Sequence, residues 1–364
     1  MPVSDLVICP ECGVPEQIVE SYIWLNSGVM VVNTDQTQRL IFVESENLDP
    51  LFEGIAEVIG LPIERQVSDV CRRGTRNVMK DMVPQEVKDL ITKREIDLEP
   101  IVMGLTDVMM TTSQLMGFGK FEFIGYRYEQ DESDYLTNRC THPYSVPLGR
   151  GNLAGTMEGI YDKESVVESR EVAPDVYEQT AHLGRHSKAL EERLKLRPYK
   201  HRDGDIELAR CSRCGGPTAL ASFEWNLEDG IIRTKGTGRR LAVVSPDVLE
   251  AVFDELEVEV GETMPRAIVE AQRRFIKSSS YSIDEISDER EFRTLLAVRG
   301  CGNLRNIRVG KAGMGLRIDN AAAHLMDVGM VQGLFETAFD VESNVEWNIS
   351  EDRDLEVNVT PKGA

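Results

Sequence analysis

Hydrophobic and polar positions repeat with the same periods in two separate stretches of the chain, which run from about residue 9 to 178 and from about residue 209 to 364. Residues 20–33 and 221–234 alternate around turns at Gly28 and Gly230, which predicts a strand–turn–strand hairpin in each stretch. An amphipathic helix is predicted after each hairpin, because apolar residues recur there at intervals of three and four. These residues are Leu48, Leu51, Phe52, Ile55 and Ile59 in the first stretch, and Leu249, Phe253, Leu256 and Val260 in the second.

The second half of each stretch predicts glycine-punctuated β-structure, at 117–124 and 296–304, followed by a helix with two glycines on one face. A hairpin of residues 344–349 and 354–359 is predicted to close the second stretch, and the first shows no clear counterpart. The whole pattern predicts an α+β fold, with a mostly antiparallel sheet and helices packed on one face in each domain. The helix faces carry Gly151, Gly155 and Glu158 in the first stretch and Gly329, Gly333 and Glu336 in the second.

Comparison of the chain with itself indicates a tandem duplication. Cys9-Pro-Glu-Cys12-Gly recurs as Cys211-Ser-Arg-Cys214-Gly, 202 residues later, and with slips of one residue this register continues. It returns at an offset of 178 in the glycine-bearing helices, so the first copy holds about 24 more residues in its middle. The predicted domains are repeat 1 at 1–178, a charged helical linker at 179–208, and repeat 2 at 209–364.

The charge of this 364-residue chain is strongly negative, with a formal value of −21. A phosphate backbone requires clustered Lys and Arg, and an anionic lipid surface attracts basic segments, so neither nucleic acid nor membrane is an expected partner. The amino terminus lacks the pattern of a secretory signal, and no apolar run approaches the ~20 residues that span a bilayer. We therefore expect a cytoplasmic protein, in which the seven Cys serve as metal ligands more readily than as disulfides.

The two Cys-x-x-Cys pairs are the strongest chemical signal. Two thiolates on one tight turn can reach a single tetrahedral Zn²⁺, and one pair supplies half of such a site. We predict that Cys9, Cys12, Cys211 and Cys214 complete one structural zinc site shared between the repeats. A redox dithiol or disulfide, and two independent or intermolecular sites, remain open alternatives.

The other patterns favour packing over chemistry. We interpret the glycine-bearing helices as close-packing faces with an outward or capping Glu, and the pairs Arg72-Arg73 and Arg273-Arg274 as surface partners of acidic residues. The extra segment of repeat 1 is rich in Met, a flexible side chain that suits core filling or a pocket for apolar ligands. No arrangement nominates a catalytic nucleophile. The candidate pocket residues are Trp24, Met103, Met109, Met110, Met116 and Trp225.

Each repeat resembles the 4-vinyl-reductase or hydrocarbon-binding domain, which is related in fold to heme-nitric-oxide-binding domains and to TRAPP vesicle-tethering subunits. The resemblance is carried by the glycine-rich strands at 117–124 and 300–304, by the helices with Gly-x-x-x-Gly, and by the terminal hairpin. That hairpin usually carries two Cys in the family, and here residues such as Trp347 and Leu355 occupy it, so no role of those cysteines is carried over.

The resemblance implies a small-molecule-binding protein, acting as a carrier, sensor or accessory subunit for an apolar or tetrapyrrole-like ligand. A reductase or maturation enzyme for a hydrophobic substrate is one alternative, and a protein-interaction scaffold is another. A protein partner or a homodimer stays open. The expected cofactor is structural Zn²⁺ held by the four cysteines.

Overall fold

The computed structural model describes residues 5–80, 82–97, 99–186 and 201–363. Within them the chain is mixed α+β with antiparallel sheets, which confirms the predicted fold class. Most of the predicted linker helix, residues 187–200, lies outside the described residues, and residues 179–183 end a strand instead. Among the described residues, no helix combines the length and apolar character that crossing a bilayer requires.

The elements follow one another in a similar order in the two halves of the chain. The described α-helices are α1 (Glu16–Ser21), α2 (Leu48–Ile59), α3 (Glu64–Met79), α4 (Gln85–Thr92), α5 (Glu99–Leu115), α6 (Val146–Tyr161), α7 (Pro246–Val260), α8 (Met264–Ser278), α9 (Glu289–Val298) and α10 (His324–Phe339). The strands are β1 (Tyr22–Trp24), β2 (Met30–Val32), β3 (Arg39–Glu44), β4 (Lys120–Arg127), β5 (Tyr135–Thr141), β6 (Ser165–Ala173), β7 (Val176–Leu183), β8 (Phe223–Asn226), β9 (Ile231–Thr234), β10 (Arg240–Val244), β11 (Asn303–Gly310), β12 (Gly313–Asp319), β13 (Ser343–Ile349) and β14 (Leu355–Pro361).

Two details differ from the sequence prediction. Strands β6 and β7 form a hairpin at the end of the first stretch, where the pattern showed none, because half-buried positions with frequent Glu hide the alternation. Residues 296–298 end helix α9 instead of starting β-structure. The predicted hairpins at 20–33, 221–234 and 344–359, and the two amphipathic helices, are confirmed.

The chain forms two compact units, and both are discontinuous. The first unit comprises Met1–Val7, Glu64–Leu196 and Trp225–Ala242. The second comprises Ile8–Ile63, Arg197–Glu224 and Val243–Ala364. Each unit therefore combines the body of one predicted repeat with an early segment of the other.

The two sheets that lie within single units share one topology. In the first unit the strand order is β4-β5-β7-β6, and in the second it is β11-β12-β14-β13, antiparallel throughout. The second unit also contains the antiparallel ladder β1-β2-β3, and the first unit contains the pair β9-β10. In the second unit the inner face of β12 and β14 is well buried, with Leu316, Ile318, Leu355 and Val357 each at most 3% exposed.

The hairpin of each predicted repeat contacts the start of the glycine-rich strand of the other predicted repeat. In the second unit Gly302 donates its N–H to Gly28 O at 3.0 Å, and in the first unit Gly119 donates to Gly230 O at 2.9 Å. A Cβ on Gly28 would lie 2.3 Å from Gly302 O, and one on Gly230 would lie 2.2 Å from Gly119 O. Only glycine permits these approaches, which also require positive φ.

The glycines of the two glycine-bearing helices serve close helix packing, as the sequence predicted. Helix α6 presses on α3, where a Cβ on Gly155 would lie 2.3 Å from Arg72 O. Helix α10 presses on α8 in the second unit, and a Cβ on Gly329 would lie 2.6 Å from Val269 O. Backbone contact at these positions leaves no space for a larger side chain.

Glu158 faces inward, which corrects the outward Glu expected from the sequence. It is 1% exposed, and its Oε2 accepts from Arg72 Nη1 at 2.8 Å, while its Oε1 accepts from the Ser165 backbone at 2.8 Å. Arg72 is also 1% exposed and Arg73 is buried, so their expected surface pairing is wrong. Helix α6 packs on α3, and this packing places the guanidinium of Arg72 in α3 against Glu158 of α6.

His186 adds a titratable group to this buried pair. Its Nε2 donates to Ser165 O at 2.6 Å and lies 3.5 Å from Glu158, while Nδ1 lies 3.5 Å from Asp69. The contact with Glu158 raises the pKa of His186, assisted by Ser165 and Asp69 and opposed by burial and by Arg72. The protonated imidazole therefore stabilises the fold.

This raised pKa predicts a pH-dependent stability. The stabilisation is fully present below the unfolded pKa, about 6.5, and is lost as pH rises through the higher folded pKa of His186. Urea unfolding from about pH 6 to about pH 9 should show wild type losing free energy of unfolding relative to His186→Gln. Parallel profiles for the two proteins would contradict the role of His186.

Candidate functional site

The two Cys-x-x-Cys segments form matching knuckles within the second unit. In the first, Cys9 N donates to Val14 O and Gly13 N to Cys9 O, each at 2.9 Å. The second repeats both bonds from Cys211 and Gly215, at 2.8 and 3.0 Å. Each knuckle closes through a glycine with positive φ, Gly13 at 75° and Gly215 at 76°. The glycine in each local sequence thus permits the tight turn, which places both sulfurs of a knuckle on one side.

The four knuckle sulfurs converge on one point. Cys9 Sγ lies 3.9 Å from Cys211 Sγ, Cys12 Sγ lies 3.6 Å from Cys214 Sγ, and all four sulfurs lie within 4.8 Å of one another. Tetrahedral zinc with bonds of ~2.3 Å requires sulfurs about 3.8 Å apart, so the cluster has the dimensions of a four-thiolate site. The four cysteines therefore meet in one cluster, as the sequence predicts, and they can hold a metal ion.

The pKa values of three of these thiols show what a cation would change. The hydrogen bond from the Cys12 backbone, joined by that from Glu11 and opposed by burial, lowers the pKa of Cys9 to about 7. Burial raises the pKa of Cys12 to about 12 and also raises that of Cys214. Four thiolates so close together repel one another, and a dication removes that penalty by replacing protons.

The donor set favours a structural ion over a catalytic one. Cys9 and Cys211 are buried, Cys12 and Cys214 are half-buried, and four sulfurs fill a tetrahedral shell without an open position. All seven cysteines are free thiols, and the distances of 3.6 and 3.9 Å exceed a disulfide bond of about 2.05 Å. Ser212 also donates to Glu11 at 2.7 Å, joining the two knuckles beside the sulfurs.

The predicted pocket residues are divided between the two units. Trp24 is 4% exposed in the second unit, where Nε1 donates to Val298 O at 2.8 Å. Helix α5 of the first unit carries Met109, which packs beside Met79 and Val83, and Met103, which is 41% exposed. Met110, Met116 and Trp225 are half-buried.

A partly open apolar wall lies on the inner face of the first unit's sheet. Leu136 and Tyr161 are half-buried beside Leu153 and Met157 of helix α6, whereas Met314, 178 residues after Leu136, is 3% exposed. Further half-buried side chains of the first unit continue this wall along β4 and α5. They are Phe121, Phe123, Tyr126, Leu105 and Met110.

The flexible methionines of the sequence indicate the segment that contains this wall. The aromatic residues of β4 and Tyr161 of α6 also line it, and no local sequence signal marks them. Burial raises the pKa of Tyr161, and burial with Glu99 and Asp97 raises that of Tyr126. A comparison at the offset of 178 does show a polar difference in this sheet, since Asn138 and Gln179 correspond to Leu316 and Val357.

No family model and no curated protein matches the chain. Similar solved structures include a Cs H-NOX mutant with 4-cyano-L-phenylalanine, at 15% identity and TM-score 0.25, over 35% of this chain and 78% of that one. A mutant of T. tengcongensis H-NOX has 16% identity and TM-score 0.24, over 33% and 75% of the two chains. At these TM-scores the likeness carries no functional information.

Proposed function

We propose that this protein binds a small apolar molecule against the inner sheet face of its first unit and carries a structural zinc ion in its second. The observation that carries the proposal is the half-buried apolar wall around Leu136, whose counterpart in the second unit, Met314, is 3% exposed. Small-molecule sites are lined mostly by apolar and aromatic side chains with few polar groups, as this wall is. Carrier, sensor or accessory-subunit roles are all consistent with such binding.

The zinc proposal rests on the four-sulfur geometry. Cys9, Cys12, Cys211 and Cys214 would hold the ion, which would supply tethering of the two knuckles and no chemistry on a ligand. Since the thiols must lose protons to bind, metal affinity should fall as pH falls.

We further propose that the two halves descend from one duplicated module. The matched knuckle bonds and the reciprocal contacts Gly28–Gly302 and Gly230–Gly119 support this history. A duplication whose copies exchange their hairpins explains why the compact units are discontinuous while the sequence repeats are continuous.

Native mass spectrometry of the purified protein tests both parts of the proposed function together. We expect one zinc per chain and a retained small apolar molecule, with the zinc lost on mild acidification because protons compete for the thiolates. Two zinc ions per chain, or none, would contradict the shared site. A protein that neither retains nor takes up any apolar molecule would contradict the binding role.

A further inference from the structure

A row of three polar side chains crosses the apolar inner face of the first unit's sheet. Asn138 of β5 is the cross-strand partner of Gln179 of β7, which in turn is the partner of Ser169 of β6. Directly opposed residues of antiparallel strands lie on the same face, with their side chains adjacent. The next pair on this face, Leu136 and Ala181, packs against α6, which identifies the row as inward-facing.

The row contains oxygens that the described residues do not satisfy. Asn138 Oδ1, Gln179 Oε1 and Ser169 Oγ are each shielded from solvent without a hydrogen-bond partner. Gln179 is 1% exposed as a whole residue. Buried polar atoms are almost always paired, so three oxygens on adjacent strands with no partner among the described residues are candidates to bind a further group.

The sheet itself does not require polar residues here. The positions 178 residues later are Leu316, Val357 and Trp347, which are paired across β12, β14 and β13 in the same way. An apolar row therefore builds the equivalent sheet of the second unit. The polar row is specific to the unit with the partly open wall.

The surroundings of the row define what it can bind. Phe123 of β4 lies beside Asn138, and α6 approaches Gln179 through Gly149, whose added Cβ would be 3.4 Å from Nε2. The charged pair on these strands, Arg139 and Glu178, belongs to the opposite face. A buried carboxylate would find no counter-charge in the row, whereas an uncharged hydroxyl can both donate and accept.

We propose that Asn138, Gln179 and Ser169 form the hydrogen-bonding subsite that reads an uncharged hydroxyl group on an otherwise apolar ligand. This inference rests on the proposed function, since it assigns the polar end of the same pocket. It selects hydroxylated apolar molecules over the parent hydrocarbons and rejects carboxylates of the same skeleton.

The test measures binding of matched probes by calorimetry. Each set of probes contains a hydrocarbon, its hydroxyl form and its carboxylate. The bicyclic set is naphthalene, 2-naphthol and 2-naphthoate. A smaller set is benzene, phenol and benzoate, and a linear set is octane, 1-octanol and octanoate. The hydroxyl compound of a bound skeleton should bind about 10-fold more tightly than its hydrocarbon. The double variant Asn138→Leu/Gln179→Val should bring that ratio to about 1, while the carboxylate should not bind either protein.

Two controls separate an effect on folding from an effect on binding specificity. The double variant installs the residues of the second unit and removes unpaired acceptors, so its melting temperature should not fall. Thr137→Val, on the outer face where Thr137 and Thr180 hydrogen-bond at 2.9 Å, should leave the binding ratio unchanged. A hydrocarbon that binds without preference for its hydroxyl form overturns the subsite alone. Failure of every skeleton overturns the proposed function and the subsite together.

Discussion

Cys211→Ser should abolish binding of the proposed zinc ion as completely as Cys9→Ser, although the two residues are 202 positions apart. Each contributes one of four sulfurs to the same cluster, and three remaining thiolates leave a structural site incomplete. Because metal binding adds directly to folding free energy, either variant should lower the stability of the second unit by several kcal/mol, on the order of 5 kcal/mol. Zinc analysis and thermal unfolding of the purified variants measure both effects.

A thiol outside the cluster provides the control. Cys301 lies in the same unit and is half-buried, so Cys301→Ser should retain one zinc per chain. The double variant Cys9→Ser/Cys211→Ser should cost little more than either single variant, because the first substitution already releases the ion. Additive losses, or retention of half the metal in a single variant, would indicate two independent sites.

Glu158→Gln should destabilise the first unit by about 3–5 kcal/mol, since it removes the carboxylate that lies 2.8 Å from the buried Arg72 charge. Burial works to raise the pKa of Glu158, but contacts from His186, Ser165 and Arg72 hold it below the ordinary value. The carboxylate is therefore ionised in the folded protein at neutral pH. Urea denaturation at neutral pH measures the loss.

Two comparisons test this mechanism. Glu168→Gln, on an exposed position of β6, should change the free energy of unfolding by less than about 0.5 kcal/mol. Adding Arg72→Met to Glu158→Gln should recover part of the loss, because the buried guanidinium that Glu158 neutralises is then removed. A double variant less stable than Glu158→Gln would show that Arg72 stabilises the unit through other contacts.

The second unit contains a related but more open arrangement. Glu336 is buried and pairs with Arg273 and Lys277, whose side chains are 21% and 38% exposed. Water can solvate these cations when the carboxylate is lost. Replacing Glu336 should therefore cost less free energy of unfolding than replacing Glu158. The sequence shows the same Gly-x-x-x-Gly-x-x-Glu pattern in both, and only the packing reveals the difference.

Local chemistry in the sequence was sufficient to predict the knuckles. Two thiols and a glycine within five residues define one tight turn, so the sequence alone specified Cys9, Cys12, Cys211 and Cys214 as candidate ligands. The hairpins and amphipathic helices were equally accessible, because their signals are periodic over short distances. The chemistry of Asn138 and Gln179 was not, since only strand pairing places them side by side.

The sequence by itself thus determined the knuckles and the α+β character and indicated the proposed repeat, because these depend on residues near one another or on direct comparison of two segments. Tertiary structure decided between the shared site and its open alternatives, with Cys12 and Cys214 3.6 Å apart, and it joined each hairpin to the body of the other predicted repeat. It also turned Glu158 inward and left the first unit's sheet partly open. Long-range contacts decide these features, because burial and pairing depend on which surfaces the folded chain brings together.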